Sequence, residues 1–235
     1  MSVLPKIKLY ATHPHPCSYL PDEQATTLFV DPDSVISGST YQRLSELGFR
    51  RSGTHHYRPH CEQCSECLPV RLPVNAFRPS RRQKRIARRN ADVVFQSVES
   101  IDSDAHYELY SRYIQQRHAD GDMYPPSVDQ YRQFLVDDAG FSLFYEMRLG
   151  DELIGVNVTD QLPTALSAIY TFFDPDHQRC SPGNLAILRL IEQAQSLGLE
   201  HLYLGYWIQH CMKMSYKIDF RPIEILIEGR WRLFE

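Results

Sequence analysis

The spacing of hydrophobic and polar residues predicts two helices in the middle of the chain and a shorter one before them. The hydrophobic positions of the first are Leu109, Tyr110, Tyr113 and Ile114. Their recurrence at three- and four-residue intervals predicts a helix over residues 104–118. Ser127 is a suitable N-cap for a second helix over residues 127–137. Residues 39–48 predict the shorter helix, which ends at Gly48.

From residue 141 onward the pattern becomes that of strands. FSLFYEMR and LIGVNVTDQL, joined by the Gly150–Asp151 turn, predict a β-hairpin, and TALSAIYTFFDP predicts a third strand. Pro182 opens a helix that runs to Leu197, HLYLGYW predicts another strand, and IEILIEGRWRLF predicts a closing antiparallel pair. This order of elements is typical of an α+β sheet of the GNAT-like acyltransferase type.

The N-terminal part of the chain predicts a separate region that bears cysteines. Residues 1–12 predict a short extended segment, FRRSGTHHYRP predicts a hairpin that turns at Ser52–Gly53, and residues 68–74 predict another strand. We therefore divide the chain into two parts. Residues 1–100 form an N-terminal region with a cysteine cluster and a basic helix, and residues 101–235 form a GNAT-like aminoacyltransferase domain.

Composition and length place the chain among ordinary globular proteins, with 235 residues of which 43% are hydrophobic. No hydrophobic run approaches the roughly 18 residues that a membrane span needs. The N-terminus also lacks the hydrophobic segment of a signal peptide. These features predict a cytoplasmic protein with no membrane partner. In that compartment the six cysteines are expected to be metal ligands, redox groups or buried thiols rather than disulfides.

Three cysteines, Cys61, Cys64 and Cys67, follow the pattern C-x-x-C-x-x-C. This spacing can turn their sulfurs toward one point, as metal-binding knuckles do. Tetrahedral zinc and four-thiolate Fe–S sites both need a fourth ligand, for which Cys17 is the natural candidate. The spacing does not distinguish zinc from an Fe–S cluster. The alternative is a group of unligated, reduced thiols.

A basic segment follows the cysteines, with seven Lys or Arg residues among positions 78–89. Ser80 and Gln83 form a capping-box pair, which predicts a helix that begins at Arg81. At about 100° per residue, five arginines share one face of this helix. They are Arg81, Arg82, Arg85, Arg88 and Arg89. A one-sided cationic face indicates a polyanion, and the alternative is a solvated surface.

The charge distribution favours nucleic-acid docking at one place. The chain carries −4 overall, and without the seven positive charges of residues 78–89 the remainder carries −11. Positive charge concentrated on an otherwise acidic protein attracts a polyanion at one surface and repels it elsewhere. Lys213 and Lys217, four residues apart, are candidates for two further phosphate contacts, with a solvated face as the alternative.

Candidate catalytic residues lie near the ends of two predicted strands. They are Tyr170, Asp174 and Tyr206. Tyr or Asp at such a position can orient an amine or relay a proton, although core tyrosines and a turn-forming Asp-Pro are the alternative. The turn over residues 178–184 contains Pro182, where coenzyme A enzymes have flexible backbone donors. This difference favours another acyl donor that carries phosphates.

Three arginines flank the hairpin turn before the cysteines. They are Arg50, Arg51 and Arg58. Because neighbouring residues of a strand point to opposite faces, Arg50 and Arg51 cannot both contact one ligand. One of them can anchor a carboxylate through a bidentate guanidinium, and solvent exposure is the alternative.

The motifs along the chain are, in order, HPCSYLP, FVDP, GFRRSG, YRPHCxxCxxCxPVRxPV, FxPSRxQxR, YTFFDP, SPG, YLGYWI and KMxYK. On these motifs, which cover nearly the whole length, the chain resembles the bacterial aspartate/glutamate leucyltransferases. These are relatives of the eukaryotic arginyl-tRNA–protein transferases. Asp22 is one departure, since glycine is expected after YLP.

The resemblance implies transfer of leucine from leucyl-tRNA to the α-amine of proteins that begin with Asp or Glu, which marks them for degradation. The basic helix would then hold the tRNA acceptor arm. Arg50 or Arg51, together with Arg58, would bind the acidic side chain of the acceptor. An aminoacyl ester is already activated, so the transfer needs no cofactor, and zinc or Fe–S at the cysteines would be structural or regulatory.

Three alternatives stay open from the sequence. Arginyl transfer by the same mechanism is one, because leucine follows from the family branch and not from any residue. A metal-stabilised nucleic-acid binding module without transferase activity is another. The third is an N-acetyltransferase that uses acetyl coenzyme A.

Overall fold

The computed structural model describes residues 7–137 and 140–234, so the first part of the extended segment predicted over residues 1–12 lies outside the described residues. The helices are α1 Gly38–Glu46, α2 Arg81–Arg89, α3 Asp104–Arg117, α4 Val128–Tyr131 and α5 Pro182–Ser196. The strands are β1 Leu9–Ala11, β2 His15–Pro16, β3 Gln24–Ala25, β4 Thr27–Val30, β5 Arg50–Ser52, β6 His55–Pro59, β7 Leu68–Pro73, β8 Val93–Val98, β9 Ser142–Leu149, β10 Glu152–Gln161, β11 Ala165–Phe173, β12 His201–Trp207, β13 Ile223–Ile227 and β14 Arg230–Phe234. Shorter 3-10 segments cover Val74–Ala76, Pro175–Cys180 and Met212–Asp219, and a π-helical turn, Arg132–Val136, continues α4.

A central sheet of eight strands has the order β14-β13-β7-β12-β11-β10-β9-β8. Its neighbouring strands are antiparallel except β11 and β12, which are parallel. The predicted α+β class is confirmed as a mixed fold of helices and strands. Strands β7 and β8 come from the residues before 101 and belong to this sheet, and the division of the chain at residue 100 stays a prediction.

The two faces of the central sheet are covered by different helices. Tyr145 and Met147 of β9 pack with α5, whereas Phe144 packs with α3 and α4. Because successive residues of a strand point to opposite faces, α5 and α3 lie on opposite sides of the sheet. The predicted helices over residues 104–118 and from Pro182 are confirmed.

A second sheet of four strands, in the order β1-β4-β6-β5, lies beside the central one. The predicted hairpin is confirmed as β5 and β6, with Arg51 opposite His56. Tyr41 of α1 packs with Tyr203 of β12 and with Leu162, which follows β10 directly. This contact brings the β5 side chains against the central sheet.

The basic helix α2 has the predicted capping box. Gln83 donates its backbone N–H to Ser80 Oγ at 3.3 Å, and the backbone N–H of Ser80 donates to Gln83 Oε1 at 2.8 Å. Gln83 and Ile86 bury one face of α2. The opposite face is therefore available to solvent. None of the helices among the described residues has the length and hydrophobicity for a membrane span.

Candidate active site

Strands β11 and β12 separate from each other part-way along the central sheet. They are paired only where Ala165–Ser167 faces His201–Tyr203. Beyond these residues β11 stays hydrogen-bonded to β10 and β12 stays hydrogen-bonded to β7. We call the opening between residues 168–173 and 204–207 the β11–β12 cleft. Ligands of mixed folds bind where neighbouring parallel strands diverge at their carboxyl ends, so this cleft is the candidate active site.

The guanidinium of Arg50 lies at the base of the β11–β12 cleft. It donates a hydrogen bond to Ser167 Oγ at 2.8 Å and another to the carbonyl oxygen of Ala168. Gly205 faces it from β12 with a φ of +81°, and a Cβ there would lie 3.2 Å from Arg50 Nε. Arg50 is only 8% exposed. A guanidinium has five N–H donors, so Arg50 retains capacity to bind a further acceptor.

Lys217 supplies a second buried cation at the same cleft. It is 8% exposed, and its Nζ donates to the carbonyl oxygen of Tyr206 at 2.5 Å. Burial, followed by the charge of Arg50, lowers the pKa of Lys217 to about 7. This buried position does not suit the predicted contact with tRNA phosphates. Lys213 is exposed instead and forms an ion pair with Asp120 at 2.8 Å.

Two of the aromatic residues beside the β11–β12 cleft have buried donors without a partner. The Tyr170 hydroxyl and Trp207 Nε1 have no hydrogen-bond acceptor among the described residues. Burial raises the pKa of Tyr170, so its hydroxyl stays protonated and can donate. Tyr206 differs, because its hydroxyl donates to the carbonyl oxygen of Gly48 at 2.8 Å. Of the two predicted catalytic tyrosines, Tyr170 is the one whose hydroxyl has no acceptor among the described residues.

The third predicted catalytic residue, Asp174, is held by its own surroundings. Its carboxylate accepts from Arg112 at 2.8 Å and from the backbone N–H of Asp176 at 3.0 Å. Oxygens of Asp174 and Glu152 and a ring nitrogen of His177 lie within 4.8 Å of one another. Asp174 therefore shapes the turn after β11, and it is 4% exposed.

The other two arginines predicted to bind the acceptor have different surroundings from Arg50. Arg51 is paired with Asp160, and both side chains are completely buried. Arg58 donates to the carbonyl oxygen of Leu47 at 2.9 Å and lies over the ring of Phe49. Arg50 and Arg51 do point to different partners, as the strand geometry predicts.

The four predicted metal ligands lie near one another but are not gathered at bonding distance. Burial raises the pKa of the Cys67 thiol to about 12, and Cys17, Cys61 and Cys64 each contribute in the same direction. Four adjacent thiolates need a positive charge, which a metal would supply. Among the described residues, however, no three of these sulfurs lie within 4.8 Å of one another. The donor set fits a thiolate site in composition only, and ligation stays a prediction.

The five arginines of α2 are all exposed on one side of the helix. Its C-terminal end contacts the turn before α5, where Arg89 donates to the carbonyl oxygen of Arg179 at 2.6 Å. Asn90 donates to the carbonyl oxygen of Cys180 at 2.9 Å. This turn follows β11 directly, so the cationic face of α2 begins close to one side of the β11–β12 cleft.

Two residues that shape the β11–β12 cleft were missed from the sequence. Ser167 accepts from Arg50, and Gly205 leaves room for the Arg50 side chain. An isolated glycine within a predicted strand indicates that another group approaches the backbone closely, so Gly205 in HLYLGYW carried a usable signal. Ser167 carried none.

Comparisons with known proteins give a consistent answer. Residues 15–85 match the family model for the N terminus of arginine-tRNA-protein transferase, and residues 105–227 match the model for its C terminus. An aspartate/glutamate leucyltransferase of Pseudomonas fluorescens (strain Pf0-1) is 57% identical, and the alignment covers 98% of each chain. The aspartate/glutamate leucyltransferase of Stutzerimonas stutzeri (strain A1501) is also 57% identical with the same coverage.

The fold has a counterpart among solved structures. The crystal structure of FemX superimposes with a TM-score of 0.50 and 9% sequence identity, over 88% of this chain and 81% of that chain. The family models and the relatives define an aminoacyl-tRNA–protein transferase. The chain belongs to the arginine-tRNA-protein transferase family, and within it to the aspartate/glutamate leucyltransferases. The family resemblance found in the sequence is confirmed.

Proposed function

We propose that this enzyme transfers leucine from leucyl-tRNA to the α-amine of proteins whose first residue is Asp or Glu. The names of its relatives support this choice of amino acid and acceptor. The observation that carries the proposal is the β11–β12 cleft, where two parallel strands diverge as in GNAT-like enzymes. Hydrogen-bond donors line this cleft, and the cationic helix α2 lies close to one side of it. The product is a protein with a new N-terminal leucine, marked for proteolysis. Charged tRNA is a cytoplasmic substrate, so the reaction belongs to that compartment.

The reaction in the cleft requires positioning more than covalent catalysis. The amine nitrogen attacks the ester carbonyl carbon, the bond from that carbon to the ribose oxygen breaks, and a peptide bond forms. The proton lost by the amine ends on the ribose oxygen of the released tRNA. Holding ester and amine together supplies several kcal/mol of the rate enhancement, and no cofactor is needed.

Tyr170 is suited to stabilise the oxyanion that forms on the ester carbonyl. Its hydroxyl is buried, protonated and without an acceptor among the described residues. A donor that is already oriented in a site without water stabilises developing negative charge more strongly than water does. Tyr206 and Asp174 act as positioning residues, because each is bound to its neighbours.

The exposed arginines of α2 bind the phosphates of the tRNA acceptor arm. They are Arg81, Arg82, Arg85, Arg88 and Arg89, and Lys213 is a further candidate at the surface. Of the five arginines, Arg82 alone has a carboxylate within 4.0 Å among the described residues, Asp219 at 3.4 Å. An RNA backbone would therefore supply the counter-charge that the protein itself lacks. Zinc or Fe–S at Cys17, Cys61, Cys64 and Cys67 would stabilise the neighbouring segment and takes no part in the transfer.

One assay tests the proposed function. The protein is incubated with radiolabelled leucyl-tRNA and peptides that differ only in their first residue, Asp, Glu, Asn or Ala. Transfer to the Asp and Glu peptides is the expected result. A parallel reaction with arginyl-tRNA tests arginyl transfer, and one with acetyl coenzyme A tests acetylation. Binding of tRNA without any transfer would overturn the proposal in favour of a nucleic-acid binding module.

A further inference from the structure

Among the residues that the structure describes, two buried cations have no anionic partner. The buried Arg, Lys, Asp and Glu side chains among the described residues are Arg50, Arg51, Glu146, Asp160, Asp174 and Lys217. Four of them are in ion pairs: Arg51 with Asp160, Glu146 with Arg148, and Asp174 with Arg112. Arg50 and Lys217 contact only a hydroxyl and backbone carbonyls. They are therefore the exceptions to the rule that buried charges are paired.

Both cations lie beside the β11–β12 cleft, where they contact adjacent residues of β12. Arg50 lies against Gly205, and Lys217 is bonded to the carbonyl oxygen of the next residue, Tyr206. Each retains N–H donors that no described residue accepts from. The unpartnered donors of Tyr170 and Trp207 belong to the same strands. Arg, protonated Lys and Trp side chains only donate hydrogen bonds, and a Tyr hydroxyl can also donate, so these groups together suit a ligand group that accepts.

The positive charges of Arg50 and Lys217 favour an anion as the bound group. Two like charges removed from water destabilise each other unless an opposite charge lies between them. Burial, followed by the charge of Arg50, lowers the pKa of Lys217, because both disfavour its charged form. An anion that enters the cleft would restore full protonation of Lys217. The same anion would occupy the free donors of Arg50.

We propose that Arg50 and Lys217 together bind the side-chain carboxylate of the acceptor's first residue and thereby distinguish Asp and Glu from Asn and Gln. The proposal rests on the proposed function and names the residues that set its specificity. A carboxylate fits because it is small and terminal, whereas a phosphate of the RNA backbone is flanked by two riboses and needs an open surface. The exposed face of α2 offers that surface, but the two cations do not, with 8% exposure each.

The two other arginines predicted to bind the acceptor are committed to contacts within the protein. Arg51 already holds the carboxylate of Asp160 with both side chains completely buried. Arg58 donates a hydrogen bond to the carbonyl oxygen of Leu47, the residue that follows the C-terminal end of α1. Charge complementarity therefore selects Arg50, and it adds Lys217, which the sequence had suggested for tRNA.

The experiment compares Lys217→Met and Arg50→Gln with wild-type protein on peptides that begin with Asp or Asn. For each protein it measures kcat and KM for both peptides, and the Kd of leucyl-tRNA by filter binding. We expect kcat/KM for the Asp peptide to fall about a hundredfold in each variant, since one partner of a buried charge pair is lost. The value for the Asn peptide should change little, so that the Asp-to-Asn ratio collapses. The Kd of leucyl-tRNA should stay within twofold.

Controls separate this inference from its alternatives. Lys8→Met and Arg230→Gln remove exposed cations of the same types and should leave the Asp-to-Asn ratio at the wild-type value. A conservative Lys217→Arg variant should recover part of the ratio. If Arg50→Gln fails to fold, the Asp-to-Asn ratio of Lys217→Met alone tests the inference. This variant is expected to fold, because it removes a charge that is buried away from water.

Several outcomes would overturn the inference. Equal loss for both peptides with a weaker Kd for leucyl-tRNA would assign the two cations to RNA phosphate. An unchanged Asp-to-Asn ratio in both variants would remove them from acceptor selection. Failure of the proposed function is a different result, because the wild-type protein would then show no leucine transfer at all.

Discussion

Arg51 and Asp160 form a bidentate ion pair, with Nε–Oδ2 and Nη2–Oδ1 distances of 2.6 Å and no exposed surface on either side chain. The pair joins β5 of the smaller sheet to β10 of the central sheet. Tyr41 donates to the same carboxylate at 2.6 Å. Because β5 also carries Arg50, this contact fixes the position from which Arg50 enters the β11–β12 cleft.

Arg51→Met should strongly destabilise the fold. It leaves Asp160 buried without its cation, for which a loss of about 3–5 kcal/mol in the free energy of unfolding is expected. Urea denaturation measures the change. The matched control, Arg43→Met, removes an ion pair with Glu46 whose side chains are 54% and 30% exposed, and it should cost about 0.5 kcal/mol or less. Equal effects of the two substitutions would contradict a structural role for the Arg51–Asp160 pair.

Lys217→Met should change how stability depends on pH. The pKa of Lys217 is lowered from 10.5 to about 7, so between these values the unfolded chain holds a proton that the folded protein has lost. The free energy of unfolding of the wild-type protein therefore rises with pH in this window, by at most about 1.4 kcal/mol per pH unit from this group.

The measurement is urea denaturation of both proteins at pH 7.5 and pH 9. The stability of Lys217→Met relative to wild type should decrease as the pH rises, because the variant lacks this contribution while other groups titrate alike in both. Parallel stability curves would show that Lys217 keeps its ordinary pKa in the folded protein.

Local patterns predicted many of the helices and strands of this fold, and the reason is visible in particular residues. The capping box of Ser80 and Gln83 involves only neighbours in sequence, and α2 begins where it predicts. The hairpin of β9 and β10 turns at Gly150, which has a φ of +60°. Strand β8 was missed although Asn90 and Asp92 precede it and Ser100 follows it, because hydrophobic and polar residues do not alternate regularly within Val93–Val98.

The candidate site was harder to predict, because its contacts join distant parts of the chain. Arg50 and Ser167 are 117 positions apart, and no local pattern connects them. Lys213 and Lys217 would share one face of an α-helix, but the segment is a 3-10 helix with three residues per turn, so one is exposed and the other buried. The sequence therefore identified Lys217 as a candidate but could not place it.

His56→Gln should reduce the sensitivity of the fold to acid. Burial, followed by the charge of Arg51, lowers the pKa of His56 from 6.5 to about 4, so the buried ring stays neutral. Below pH 6.5 the unfolded chain gains a proton that the folded protein does not, and stability falls by roughly 3 kcal/mol as the pH approaches 4.

The test measures the free energy of unfolding at pH 7.5 and at pH 5 for three proteins: wild type, His56→Gln and His55→Gln. His55 is exposed on the same strand and serves as the matched control. His56→Gln should lose less stability between the two pH values than either of the others. If all three proteins lose the same amount, the acid sensitivity has another origin.

Reversal of three charges on α2 should weaken tRNA binding and reduce its salt dependence. The variant combines Arg82→Glu, Arg85→Glu and Arg89→Glu. Each lost phosphate contact lowers the slope of log affinity against log salt by about 0.7–0.9. Affinity for leucyl-tRNA should fall at least about tenfold at physiological salt. Filter binding at several salt concentrations measures both quantities.

The control for that variant places the same change of net charge elsewhere. Arg43, Arg132 and Arg230 are exposed arginines away from α2, and their combined replacement by Glu should leave the slope unchanged. A similar loss of affinity in the two triple variants would show that overall charge, and not the face of α2, controls binding. Unchanged leucine transfer after reversal on α2 would remove this helix from the reaction.

Tyr170→Phe and Tyr206→Phe should separate catalysis from stability. The Tyr170 hydroxyl has no acceptor among the described residues, so its removal should leave the free energy of unfolding unchanged or slightly higher. Loss of a donor to the oxyanion should lower kcat by about 10²-fold or more, with little change in KM. Tyr206→Phe instead removes a hydrogen bond to Gly48 and should cost about 1 kcal/mol of stability while kcat stays within a few-fold. Single-turnover transfer and urea denaturation of both variants give the two quantities. A lower kcat for Tyr206→Phe than for Tyr170→Phe would reverse the assignment, because the hydroxyl that is already bonded to the backbone would then be the one that acts on the substrate.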